Sequence, residues 1–157
     1  MSFAEESRRV RTLTAVRVVF LLGAPACLVL PFFGDPDSVT VTGLEVLSFS
    51  PSPGPPPALA PVTVLLLCAA VLTLVHRRRP SVLVLLGTLL TTLLATGLVV
   101  QKQRALYAFL PGQDLPGYWI VLALLVGSLI TVLADLLYRD VADDIIGPSN
   151  TPPEEEP

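Results

Sequence analysis

The chain has 157 residues, 52% of them hydrophobic and 15% charged, with a formal net charge of −3. A soluble domain of this length needs far more charge to coat its surface, and the mean hydropathy of +0.71 points to a membrane protein. No basic groove with interleaved aromatics occurs, which argues against a nucleic-acid partner.

Four apolar runs dominate the sequence, and each approaches the roughly 20 residues a helix needs to cross a bilayer. They predict an all-α fold, a transmembrane four-helix bundle with a short strand-like and Pro-rich outer loop. The expected layout is a cytoplasmic N-terminus at 1–11 and one membrane domain at 12–140. Its spans are 12–33, 59–76, 81–101 and 118–138, with outer loops at 34–58 and 102–117. An acidic cytoplasmic tail at 141–157 follows and is expected to be disordered. Neither loop is large enough to support a core of its own. Orientation follows from the basic residues. With the N-terminus inside, Arg8, Arg9, Arg11, Arg17, Arg77, Arg78, Arg79 and Arg139 lie on the cytoplasmic side, and only Lys102 and Arg104 lie outside. The predicted location is therefore the plasma (inner) membrane, with both termini cytoplasmic.

The first span has a rival reading as a signal peptide, because Ser7-Arg8-Arg9 precedes an apolar stretch and Ala24-Pro25-Ala26 resembles a cleavage site. The apolar run continues through Leu28, Val29, Leu30, Phe32 and Phe33, so a retained helix is expected. Arg17, one to two turns in, is expected to snorkel to the headgroups without a buried partner. Pro25 is expected to kink the helix near mid-membrane, and Pro31 to mark its outer end.

In the first outer loop, Ser38-Val39-Thr40-Val41-Thr42 alternates and is β-branched, which predicts a short strand. Gly43 breaks it, and Leu44-Glu45-Val46-Leu47 begins an interfacial turn or helix. Pro51-Ser52-Pro53-Gly54-Pro55-Pro56-Pro57 reads as a stiff spacer, with a Pro-rich ligand as the alternative.

The second and third spans form a tight hairpin across His76-Arg77-Arg78-Arg79-Pro80, so they must pack antiparallel. Arg77, Arg78 and Arg79 are expected to anchor the turn at lipid headgroups. His76, the only histidine, is placed at headgroup level, with no second metal ligand at usable spacing. Small residues recur every fourth position as Gly87, Thr91 and Ala95 in the third span, and as Ala123, Gly127 and Thr131 in the fourth. Such rows let helix backbones approach closely. A polar conduit lining is the alternative. Asp135 continues the second row. It is expected at the interface, paired with a nearby arginine, rather than as a transport or proton-relay acid.

Between the third and fourth spans, residues 105–110 read as a separate amphipathic piece on the outer surface, ended by Pro111-Gly112. Tyr107, Phe109, Tyr118 and Trp119 form an outer aromatic belt. Together with Glu45 they make the one surface on which a specific partner is expected. Cys27 and Cys68 lie inside predicted spans, so no disulfide is expected. The chain carries no Ser/His/Asp set, no P-loop and no carboxylate pair within one span, so no enzymatic activity is expected. With one imidazole, no haem or chlorophyll ligand set exists, and no cofactor is expected.

The run Leu30-Pro31-Phe32, the segment Val39-Thr40-Val41-Thr42-Gly43-Leu44-Glu45, the arginine turn and Gly117-Tyr118-Trp119 together resemble small four-span proteins of high-GC actinobacteria. Phe32 stands where those proteins carry tryptophan. The stretch 38–43 is also similar to the tryptophan-operon-associated membrane protein family. These groups are largely uncharacterised, so the resemblance implies architecture alone. Three functions are compatible with the sequence. The first is an accessory or assembly subunit of a larger plasma-membrane complex. The second is a small homo-oligomeric transporter or channel, and the third a membrane sensor or scaffold. The expected partners are the lipid bilayer and either another membrane protein or further copies of the chain.

Overall fold

The computed structural model describes residues 3–34, 40–50, 56–78, 81–109 and 112–146. Among these, four helices are long and apolar enough to cross a membrane, over Arg11–Val29, Leu59–Arg78, Val82–Tyr107 and Pro116–Tyr138. The chain is a multi-pass membrane protein with an all-α bundle at its centre. Its apolar surface is turned outward, with Val64, Leu67, Val71, Leu83, Leu90, Ile130 and Leu137 all more than half exposed. Such a surface is stable only against lipid.

The chain runs α1 (Phe3–Ala26), β1 (Pro31–Gly34), β2 (Thr40–Thr42), α2 (Gly43–Ser48), α3 (Leu59–Arg78), α4 (Val82–Tyr107), β3 (Gln113–Asp114) and α5 (Pro116–Ile146). Each long helix packs on two others, in the cyclic order α1, α3, α4, α5. The α3–α4 hairpin is antiparallel and intimate, as its short turn requires. The end bearing Arg11, the α3–α4 turn and Tyr138 is the basic end. The opposite end carries the loops.

Three boundaries differ from the sequence expectation. Helix α1 stops at Ala26 and passes through a short 3-10 turn, Cys27–Val29, so Pro25 sits in the final turn instead of kinking a longer helix. Proline at 31 disfavours a helical residue before it, and Leu30 is extended at φ −72°, ψ 156°. Phe32 and Phe33 then belong to a strand and are almost fully buried as a roof over the bundle. Helix α4 is continuous to Tyr107, so residues 105–107 of the expected surface piece belong to it, because neither Gly nor Pro interrupts it after Gly97. Its 26 residues span about 39 Å, longer than the hydrocarbon layer of about 30 Å. Helix α5 runs on to Ile146, through the start of the predicted tail. Residues 147–157, Ser38, Val39 and most of the proline stretch lie outside the described residues.

The loops close into a cap. Strand β1 is central in the sheet order β2-β1-β3, antiparallel to both neighbours, with Phe33 opposite Val41 and Asp114. The strand predicted at 38–42 is observed over Thr40–Thr42. Leu115 N–H donates to Phe32 O at 2.9 Å, and Ala58 N–H donates to Leu47 O at 2.7 Å. Lys102, buried near the end of α4, donates from Nζ to Phe49 O at 2.8 Å, so the helix end is stitched to the first loop. Gln103 donates to Asp114 on β3.

Helix α2 forms where a helix or turn was expected, begun by a capping box. The Thr42 hydroxyl accepts from Glu45 N–H, and Glu45 Oε2 accepts from Thr42 N–H at 2.8 Å. The Thr42 N–H and the Thr42 hydroxyl, both donating to Glu45 Oε2, hold its carboxyl below its ordinary value of 4.5. A depressed carboxyl stabilises the fold above the unfolded value and loses that contribution as pH falls through the folded one. Amide exchange at Thr42 and Glu45 should therefore be slow near neutral pH and accelerate, relative to the intrinsic rate, once pH drops below about 4.5. The dependence should vanish in Glu45→Gln. A pH-independent Thr42 amide would contradict this cap.

Candidate functional site

Each long helix turns a seam of alternating three- and four-residue spacing toward the bundle axis. The buried positions are Thr14, Arg17, Leu21, Ala24 and Leu28 on α1, and Val62, Leu66, Ala69, Thr73 and His76 on α3. On α4 they are Leu85, Thr88, Thr92, Ala95 and Val99, and on α5 Val121, Leu125, Ser128, Val132 and Asp135. The seams divide by depth. Toward the cap they are apolar apart from Lys102, which with Gln103 serves the cap, and toward the basic end they carry the other buried polar groups of the bundle.

Three ionisable side chains meet there. Arg17 is 0% exposed, His76 0% and Asp135 2%. Arg17 Nη2 donates to Thr131 O at 2.9 Å and to Asp135 Oδ2 at 3.3 Å, while Nε donates to Thr131 Oγ1 at 3.3 Å. His76 Nε2 lies 3.4 Å from the same Asp135 oxygen. On its other side the ring accepts, at Nδ1, the N–H of Ser81 at 3.4 Å. One carboxylate thus joins α1, α3 and α5, and the imidazole extends the connection to the start of α4. A charge at this depth is tolerated only with such partners. Arg17 Nη1, Thr14 Oγ1 and Ser128 Oγ are buried without a hydrogen-bond partner among the described residues.

Three expectations bear on this cluster. Arg17 does not snorkel: its position on the inward seam, in register with Leu21 and Leu28, turns the guanidinium to α5. His76 keeps its place beside the arginines along α3, but it is turned into the bundle and fully buried, while Arg77 and Arg78 are exposed. Asp135 is buried inside the bundle, and among the described residues it pairs with an arginine of the first span, 118 residues away in sequence.

The four-residue rows are only partly at contacts. On a helix of 3.6 residues per turn such a row drifts about 40° per step. Ala123 accordingly faces outward, Gly127 packs against the Phe20 ring of α1, and Thr131 reaches the ionic cluster. Gly87 contacts Leu72 of α3, Thr91 is half-buried and Ala95 is fully buried. The hydroxyls of Thr88, Thr91, Thr92 and Thr96 all donate to carbonyls one turn earlier in their own helix.

At the capped end, Glu45, Tyr107, Phe109 and Trp119 are exposed, as a partner surface requires. Tyr118 is not available to a partner. It is 6% exposed and packs edge-on against Phe32, with ring centroids 6.0 Å apart. Tyr107 stands against Phe33 at 5.0 Å, and Phe109 against Phe49 at 6.0 Å. Arg79 lies outside the described residues. No family model, curated protein or solved structure matches this chain.

Proposed function

We propose that the chain is an accessory or assembly subunit of a larger plasma-membrane complex, with both termini in the cytoplasm and no catalytic chemistry of its own. One observation carries the reading: the interior polar groups are turned chiefly on one another. Arg17 is spent on Asp135 and Thr131, His76 on Asp135 and Ser81, and the buried threonines on their own helix carbonyls. An interior closed in this way leaves the work to the outer surface, where Tyr107, Phe109 and Trp119 stand exposed around the cap. The orientation rests on the distribution of arginine. Kinship with the small actinobacterial four-span proteins is part of the same proposal and rests on the sequence segments alone. Mass spectrometry of tagged protein drawn gently from native membranes should find a stoichiometric membrane partner. Recovery of the chain by itself, monodisperse at native abundance, would count against the subunit role.

A second reading, a small homo-oligomeric transporter or channel, is favoured by the unpartnered Arg17 Nη1, Thr14 Oγ1 and Ser128 Oγ. Buried polar atoms of this kind commonly meet water. Flux through reconstituted protein, abolished by Asp135→Asn, would support it, and absence of flux from well-folded protein would end it.

A further inference from the structure

The hydrogen bonds around His76 fix the state of its ring. A backbone N–H can only donate, so the Ser81 amide requires a bare lone pair on Nδ1. The ring proton is thereby assigned to Nε2, directed at Asp135 Oδ2. In this arrangement the imidazole is neutral, and among the described residues of the cluster the Arg17 and Asp135 charges cancel. A second ring proton changes both conditions. Nδ1–H would face the Ser81 N–H, donor against donor, and the buried cluster would acquire a net positive charge.

We propose that His76 is the proton-binding group of a latch holding Ser81, at the start of α4, to the buried Arg17–Asp135 pair, and that proton uptake releases Ser81. The proton comes from the aqueous phase at the basic end and stays on Nδ1. The bond lost is the hydrogen bond from Ser81. The charged and titratable groups around the ring, among the described residues, are Arg17 from α1 and Asp135 from α5, with half-buried Tyr138 three residues further along α5. Helix α4 contributes the Ser81 amide before its first residue, and on α3 itself Arg77 and Arg78 follow, both exposed. Arginine keeps its charge throughout, so histidine is the group among these suited to change charge between about pH 5 and 8. The latch is independent of both functional readings, because it requires neither a partner nor a transported solute.

Since His76 is the only histidine in the chain, nitrogen-15 labelling gives a single imidazole to follow in the full protein held in lipid nanodiscs. At about pH 8 the proton should reside on Nε2 with Nδ1 bare. On acidification to about pH 5 the ring should become doubly protonated. The Ser81 amide should shift with the same midpoint, and its exchange protection, corrected for intrinsic rate, should fall roughly tenfold. In His76→Gln the side-chain amide can still donate to Asp135 but cannot titrate, so the Ser81 response should disappear. Four results would each overturn the latch. They are a proton on Nδ1 at high pH, a ring that stays neutral to about pH 5, titration that leaves Ser81 unmoved, and a Ser81 response that survives in His76→Gln.

Discussion

Replacing Asp135 with leucine is expected to destabilise the bundle by about 3–5 kcal/mol, the usual consequence of leaving a buried charge without its partner. Asp135 Oδ2 serves both the Arg17 guanidinium and the His76 ring, and Arg17 is 0% exposed, so the stranded charge has no route to solvent without displacing α1 from α5. The double variant Arg17→Leu/Asp135→Leu should recover most of the loss, because apolar side chains then fill a site in which no charge remains. Reversible unfolding in mixed micelles would measure both. A single variant no worse than a lipid-facing control such as Leu133→Ala would remove the ionic cluster from any account of how the helices are held.

The second large effect belongs to the capped end. A methyl group on Gly117 would collide with the carbonyl oxygen of Pro31 and stand 2.8 Å from Leu30 Cβ. Those obstacles are mostly backbone, at the junction where α1 gives way to β1, and backbone cannot rotate aside as a side chain can. Gly117→Ala should therefore cost about 1–3 kcal/mol through overpacking, and it should loosen the cap before the bundle. Gly97→Ala provides the contrast. Nothing lies within 4 Å of its added methyl, so that change should be neutral or stabilise α4 by up to about 1 kcal/mol. Equal effects at the two glycines would mean that the contact between α5 and the roof of the bundle is not the tight one described.

The four spans were legible because length and hydropathy are one-dimensional quantities, and Leu59–Arg78 or Pro116–Tyr138 satisfy them without reference to neighbours. What was not legible was rotation about each helix axis. The rows of Gly87, Thr91 and Ala95, and of Ala123, Gly127 and Thr131, follow a strict four-residue step, whereas the buried seams alternate three and four. A reader tracing 14, 17, 21, 24 and 28 would have found Arg17 in register with Leu21, Ala24 and Leu28. The same step places His76 after Val62, Leu66, Ala69 and Thr73, and Asp135 after Val121, Leu125, Ser128 and Val132. Three ionisable residues on three inward seams is the signal that was present and unused. The cap was legible only in part. Thr40, Val41 and Thr42 alternate as a strand should, and Thr42 and Glu45 form a recognisable helix start. The apolar Phe32 and Phe33 read equally well as the end of a span, with Pro31 the one local clue to a change of backbone. The two residues of β3 carry no strand signature and are held by their pairing with Phe33 and Gly34.

The order in which the chain is made gives the ion pair a further meaning. Arg17 enters the bilayer with the first helix, and its carboxylate partner lies 118 residues later, on the fourth of the long helices. Until that helix arrives, the nascent protein holds a bare guanidinium within its first apolar span, a state that favours shallow or reversible insertion of α1. The arrival of α5 neutralises the charge and at the same time brings Gln113 and Asp114 to complete the sheet at the opposite end. A chain that stops before them lacks both the carboxylate for Arg17 and the third strand of the sheet. One helix thus completes the contacts at both ends of the bundle.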